Sequence, residues 1–273
     1  MVTMTDPRKY HVSIKVMFVF FVALLLCIYI PRYLIEGSFE LGANVNYAEQ
    51  NPHYFSVSWS KFLQIVCLGP FFGIIYFLLL KVLLSKVDHD LKKNRMLSLA
   101  IEVSAIVLIA LNSMGHVLHL GFEGVNAIDA TKGEALGNEF EEMFVYAWYM
   151  DEWLGHSLIH STYFGYLVLA VLGEGLLAEH SRIHWDEGIY VLIGAVGVAI
   201  VDAWAAIRSE SGVLLLTFHL IYSIIALAFI LVKKTDPLSR PILLGMLVGT
   251  IFVVIYNIHY VLTNGFSPIY PFY

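Results

Sequence analysis

Four histidines and one glutamate stand at helical spacing on two neighbouring apolar stretches. The first stretch ends with His116 and His119, which are three residues apart, and the second begins with Glu152, His156 and His160, which are four apart. Residues three, four or eight apart lie on one face of an α-helix. Because two imidazoles on one face can bind a single ion, the spacing predicts a metal site of mixed nitrogen and oxygen donors.

Imidazole and carboxylate donors suit zinc, iron or copper better than calcium or magnesium, so we predict a transition metal ion as the cofactor. His219, His259 and Asp202 stand in three further apolar stretches. They are candidates to complete the ligand set or to orient its members. Glu152 and Asp202 are the carboxylates predicted to act as a catalytic base.

The elements that carry these residues read as membrane-spanning helices. Hydrophobic residues make up 59% of the chain and charged residues only 14%, whereas soluble domains carry roughly a quarter charged residues. Lipid must therefore cover most of the surface. No basic run with interleaved aromatic residues occurs, so nucleic acid is not an expected partner.

A helix needs about 20 apolar residues to cross the hydrocarbon core. On that criterion we predict an all-α, polytopic membrane protein forming one integral-membrane domain over residues 1–273. It is a seven-helix bundle, and its spans lie near 14–35, 62–84, 97–120, 150–173, 188–207, 213–232 and 241–261.

The positive-inside rule gives the orientation, because loops rich in Lys and Arg stay in the cytoplasm. With the N-terminus inside, 12 of these residues fall on the cytoplasmic side and 4 outside. Seven spans then place the C-terminus outside. The expected location is the plasma membrane or an equivalent one. Lipid is the expected partner, and other membrane subunits are candidate partners.

All of the candidate ligands fall in the same slab, the outer third of the bilayer. Ionisable side chains inside a membrane are costly and by default suggest function. The segments 36–61 and 121–142 read as outer loops, and Asp151 is expected to face loop water or to cap the fourth span. Cys27 and Cys67 are expected to be packing residues.

The leading hypothesis is an integral-membrane, metal-dependent enzyme acting on a lipid-like or small hydrophobic substrate. It would be a hydrolase or a non-haem iron or copper oxidoreductase. Two alternatives stay open. One is an electron-transfer protein with bis-histidine haem. The other is a proton- or metal-coupled transporter or receptor.

Overall fold

The fold is that of a computed structural model, which describes residues 12–43, 53–88, 92–136, 141–177, 182–199 and 212–264. Asp202, one of the two carboxylates predicted to be catalytic, lies outside the described residues.

The first half of the chain forms long apolar helices. Helix α1 covers Val12–Tyr29 and continues through a π-helical turn, Ile30–Leu34. Helix α2 (Trp59–Val66) runs through a second π-helical turn into α3. That turn is Cys67–Phe71 and α3 is Phe72–Leu84. Helix α4 is the longest, Lys92–Leu136.

The second half of the chain is also helical. Helix α5 (Glu141–Trp148) passes through a third π-helical stretch, Tyr149–Gly155, into α6, His156–Gly175. The remaining elements are α7, α8, a short 3₁₀ turn and α9, which cover Trp185–Ala199, Gly212–Lys233, Pro237–Ser239 and Pro241–Asn264.

A two-stranded antiparallel hairpin departs from the all-α prediction. Strand β1 (Ser38–Ala43) pairs with β2 (His53–Ser58), with Phe39 opposite Val57 and Leu41 opposite Phe55. Apolar residues therefore alternate along both strands, which is the pattern of a sheet with one apolar face. The hairpin lies within the segment predicted to be an outer loop.

Five of the helices are long and apolar enough to cross a membrane: Val12–Leu34, Trp59–Leu84, Lys92–Val125, Leu214–Val232 and Pro241–Thr263. They coincide with five of the seven predicted spans. The run α5–α6 is also long, but histidines, acidic residues and hydroxyl side chains lower its hydropathy. Helix α7 is described to Ala199, within the predicted span 188–207. The chain is thus a helical protein with the character of a membrane protein.

The prediction of a loop over 121–142 is wrong for most of that segment. Helix α4 continues to Leu136, and helix α5 begins at Glu141. The apolar run ends near residue 120, but the following residues include no proline to end the helix. Lys61 of α2 forms an ion pair of 2.8 Å with Glu123 and so ties this extension to the bundle.

The core lies where α1, α3, α4 and α6 meet. Phe72, Tyr76, Leu80 and Tyr166 are almost completely buried there. Glycine lets the backbones approach, since a Cβ on Gly73 would lie 2.6 Å from the Ile109 side chain. Helix α4 packs along α6, and these two helices carry the residues predicted to bind metal.

Candidate metal centre

Helices α4 and α6 come into backbone contact at the candidate centre because two glycines face each other. A Cβ on Gly155 would lie 2.9 Å from the backbone nitrogen of His119. A Cβ on Gly115 would lie 3.0 Å from the carbonyl oxygen of Gly155. Real Cβ atoms do not fit at such distances without a shift of the backbone. This close approach brings His119 of α4 beside His156 of α6.

The π-helical stretch before α6 decides which carboxylate joins them. The backbone N–H of His156 bonds to the carbonyl of Asp151, five residues earlier, instead of four as in an α-helix. The extra residue in this turn brings the Asp151 side chain to the same side of the helix as His156. Asp151 is only 1% exposed, so the expectation that it faces loop water is wrong.

His119, Asp151 and His156 form a group whose ligand atoms all lie within 4.8 Å of one another. His119 Nδ1 and Asp151 Oδ1 are 2.5 Å apart. The rings of His119 and His156 have their centres 4.2 Å apart, tilted by 45°. Two imidazoles and one carboxylate, contributed by two helical segments, thus converge on one point.

A carboxylate holds the Nδ1 atom of each of these two histidines. Asp151 is the partner of His119, and Glu152 Oε2 lies 3.1 Å from Nδ1 of His156. The Glu152 carbonyl oxygen lies 3.2 Å from the same nitrogen. Metal-binding histidines usually have one ring nitrogen held in this way, which fixes the ring and leaves the other nitrogen for the ion. Among the described residues, the hydrogen bonds recorded for both rings are made by Nδ1, so Nε2 is the ring nitrogen that this arrangement would present to an ion.

His116 and His160 lie about one helical turn from His119 and His156 along the same two helices. Each is 5% exposed, and both are close enough to His119 and His156 to interact with them electrostatically. The ring centre of His160 is 6.2 Å from that of His156. The structure thus brings together four of the six histidines predicted as ligands, with Glu152 beside them.

A network of buried polar groups lies next to His116. His116 Nε2 lies 3.4 Å from the hydroxyl of Tyr163, and that hydroxyl donates to the carbonyl of Leu68 at 3.4 Å. The same carbonyl accepts from the side-chain amide of Asn112 at 2.8 Å. Asn112 in turn accepts from the Thr162 hydroxyl at 3.0 Å.

The π-helical turn Cys67–Phe71 is the reason that Leu68 can serve this network. The N–H of Phe72 bonds to Cys67 and Gly69 and not to Leu68, so the carbonyl of Leu68 turns to side chains of α4 and α6. Three helical segments are thereby joined by hydrogen bonds directly under the histidines. Buried polar networks that are fully satisfied make a core rigid.

The two remaining histidines predicted as ligands lie apart from the group of three. His219 of α8 is fully buried, its Nδ1 atom is 2.9 Å from Thr250 Oγ1, and its ring packs edge-on against Phe164. Thr250 donates to the carbonyl of Met246, so His219 donates to Thr250. His259 is exposed on α9.

Sequence reasoning gave Asp151 a different role and did not use Asn112 and Tyr163. Asp151 is five residues before His156, a spacing that helical periodicity places on a different face. Asn112 is one helical turn before His116, and Tyr163 is three residues after His160. Those two spacings were signals that could have been used.

Comparison of the chain with protein-family models, with curated proteins and with solved structures gave no match. The assignment of function therefore rests on the site itself.

Proposed function

We propose that this protein is an integral-membrane, metal-dependent enzyme whose metal centre is built on His119, Asp151 and His156. The observation that carries the proposal is the convergence of these three donors within 4.8 Å. Two histidines with one carboxylate form the donor set of non-haem iron oxygenases and also of several zinc hydrolases. A centre with three protein donors keeps a position open for substrate or water.

The donor set fits a transition metal ion on chemical grounds. The available Nε2 atoms of His119 and His156 are borderline donors that zinc, iron and copper accept. Asp151 and Glu152 fix the two rings and offset positive charge in a dry environment. When bound, such an ion polarises a substrate oxygen or activates an oxygen species for attack.

Glu152 is the residue that we assign as catalytic base. Its side chain is more exposed than that of Asp151, with 30% against 2%, so it can exchange protons with water at the rim of the site. The contact of Glu152 with His156 also keeps its carboxylate next to the proposed metal position. Hydrolysis and oxidation both need such a proton acceptor.

The proposed arrangement in the membrane has seven spans, with the N-terminus in the cytoplasm and the C-terminus outside. Five apolar helices support it, together with the length of the α5–α6 run and the 12 to 4 division of basic residues. The centre then lies near the outer membrane surface. Tyr149 and Trp153 stack at 4.8 Å beside it, as aromatic side chains do at membrane–water boundaries.

A lipid-like or small hydrophobic molecule is the proposed substrate. The site is partly open, because the side chains of His119 and Glu152 are 25% and 30% exposed. The helices that carry it are mainly apolar, so a substrate dissolved in the bilayer can approach it from the membrane. The substrate is hydrolysed or oxidised there, depending on the metal.

Haem is less well supported as a cofactor than a non-haem ion. A porphyrin with two axial histidines must fit between their rings, and 4.2 Å between the ring centres of His119 and His156 leaves no such space. Transport by way of these groups would need polar residues along the opposite half of the helices, which are mainly apolar there.

Metal analysis of the purified protein tests the proposal. We expect bound iron, zinc or copper near one equivalent in the wild type and a loss of it in the double variant His119→Ala/His156→Ala. His259→Ala, an exposed histidine away from the group, is the matched control and should retain the metal. If the double variant keeps the wild-type metal content while remaining folded, the proposed centre is excluded.

A further inference from the structure

A cleft lies between helices α6 and α8, away from the metal centre. It has a volume of about 460 Å³, and its walls are almost entirely apolar. Phe164 and Val171 of α6 face Phe218, Ile221 and Ile225 of α8 across it. Only one end is polar, where Glu174, Thr235 and Arg240 line it. The cleft thus has the amphipathic character of a lipid molecule.

Arg240 is a buried cation at that polar end. Its Nη1 and Nη2 atoms donate to the backbone carbonyls of Glu174 and Leu177, at 2.6 and 3.1 Å. The carboxylate of Glu174 is occupied in another way, since it accepts from the backbone N–H groups of Ile242 and Leu243 at the start of α9.

Within the described parts of the chain, no carboxylate lies within ion-pair distance of Arg240, and the buried Glu174 carboxylate interacts with it only over a longer distance. A buried charge is costly unless an opposite charge offsets it. A guanidinium also presents more N–H donors than the two carbonyls use. An anionic group entering the cleft would accept from the remaining donors and would add to the partial offset that Glu174 provides.

The loop beside Arg240 adds a further free cation. Lys234 is exposed and directly precedes Thr235 in the cleft wall. Arg182 is not available to an anion in the same way, because its Nε atom donates to Asp236 Oδ2 at 2.6 Å. This hydrogen bond lowers the pKa of the Asp236 carboxyl. At this end two cations, Arg240 and Lys234, stand against one carboxylate, Glu174, so the net charge is positive.

We propose that this cleft binds a glycerophospholipid with an anionic headgroup. Arg240 and Lys234 hold the phosphate, and one acyl chain lies along α6 and α8 as far as Phe164. That wall spans ten residues of α6, or about 15 Å, which suits an extended acyl chain. Basic pockets between membrane helices are sites of this kind. The proposal is independent of the metal centre, because the cleft is lined by the other end of α6.

Two variants separate this site from lipid that merely surrounds the protein. Ile225→Trp fills the cleft, and Ile224→Trp is its matched control, since both residues are exposed on α8 (63% and 69%) but only Ile225 lines the cleft. Lys234→Gly removes a charge at a backbone φ of 52°, where glycine is favoured. This change should not destabilise the fold.

The experiment measures lipid retained by the full-length protein in detergent micelles supplied with equal dioleoylphosphatidylglycerol and dioleoylphosphatidylcholine. We expect the wild type and Ile224→Trp to retain mainly the anionic lipid. Ile225→Trp should lose it, and Lys234→Gly should retain about fivefold less, the effect of one basic residue near a membrane surface.

Three results would overturn the proposal. Equal retention of both lipids would show that the cleft does not select an anionic headgroup. Equal loss of the anionic lipid from the two tryptophan variants would show that it is ordinary boundary lipid. Displacement of both lipids by an uncharged isoprenoid, or by a second copy of the chain, would assign the cleft to another occupant. Unfolding temperatures measured in parallel verify that each variant is folded.

Discussion

The pairing of each histidine with its own carboxylate is the feature that most favours metal binding. His119 and His156 have their Nδ1 atoms held by Asp151 and Glu152, and a ring held in this way needs no reorganisation to accept an ion. Asp151 is also almost completely buried, which a carboxylate that only interacts with solvent would not be. Its carboxylate is therefore the most informative side chain to change.

Asp151→Asn should weaken metal binding by at least about 10-fold, because the proposed centre would lose a charged donor and His119 would lose the carboxylate that holds its Nδ1 atom. The amide keeps the shape of the side chain but loses its charge. Metal affinity is measured by competition with a chelator of known Kd. Glu102→Gln is the control, a carboxylate of α4 that is paired with Lys81 away from the site. Unchanged affinity in Asp151→Asn would remove Asp151 from the centre.

Asn112→Ala should destabilise the protein by about 1–3 kcal/mol, because the Thr162 hydroxyl and the Leu68 carbonyl would each lose one of two buried partners and the volume of the amide would be left empty. Unfolding in detergent micelles, followed by circular dichroism, measures the change. Thr263→Ala on an exposed part of α9 is the control and should have little effect. A similar stability of both variants would mean that the network under His116 is not structural.

At the scale of the elements, π-helical stretches and glycines position the site. The backbone N–H of His156 bonds to the carbonyl of Asp151, five residues earlier. With regular α-helical bonding over four residues, the Asp151 side chain would point away from the histidines. Without Gly115 and Gly155, α4 and α6 could not approach closely enough for His119 to face His156. π-helical turns within α-helices are often found at functional sites.

Gly155→Ala tests the close approach of the two helices. The added methyl group would meet the backbone of His119 at 2.9 Å, so we expect a loss of about 1–3 kcal/mol in stability and weaker metal binding. Gly121→Ala, also on α4, meets nothing within 4 Å and should be neutral or slightly stabilising. Metal affinity equal in these two variants would contradict the role of Gly155.

The helix pattern was the more predictable part of the fold. Each of the five apolar spans could be located from hydropathy, and all five are helices. The hairpin and the extension of α4 to Leu136 were not predicted, because hydropathy reports contact with lipid and not whether a polar segment stays helical.

At the scale of the whole molecule, the proposed topology separates a metal centre near the outer surface from a basic cleft near the inner one. Cysteine accessibility tests it. In a variant whose two native cysteines are replaced, we expect Glu123→Cys to react with a membrane-impermeant maleimide in intact cells. Lys234→Cys should react only after permeabilisation, and the cysteine-free parent, which should not react, is the control. The opposite labelling pattern would invert the topology.

The sequence by itself determined that this is a helical protein of membrane character, and that His116, His119, His156 and His160 stand on two shared helix faces. Both follow from composition and from the period of the α-helix, which are local properties. Only the tertiary structure decided which helices meet, that Asp151 joins the histidines, and that His219 bonds to Thr250 instead. Those outcomes depend on a change of helical period and on backbone contact at two glycines, which no local pattern reports.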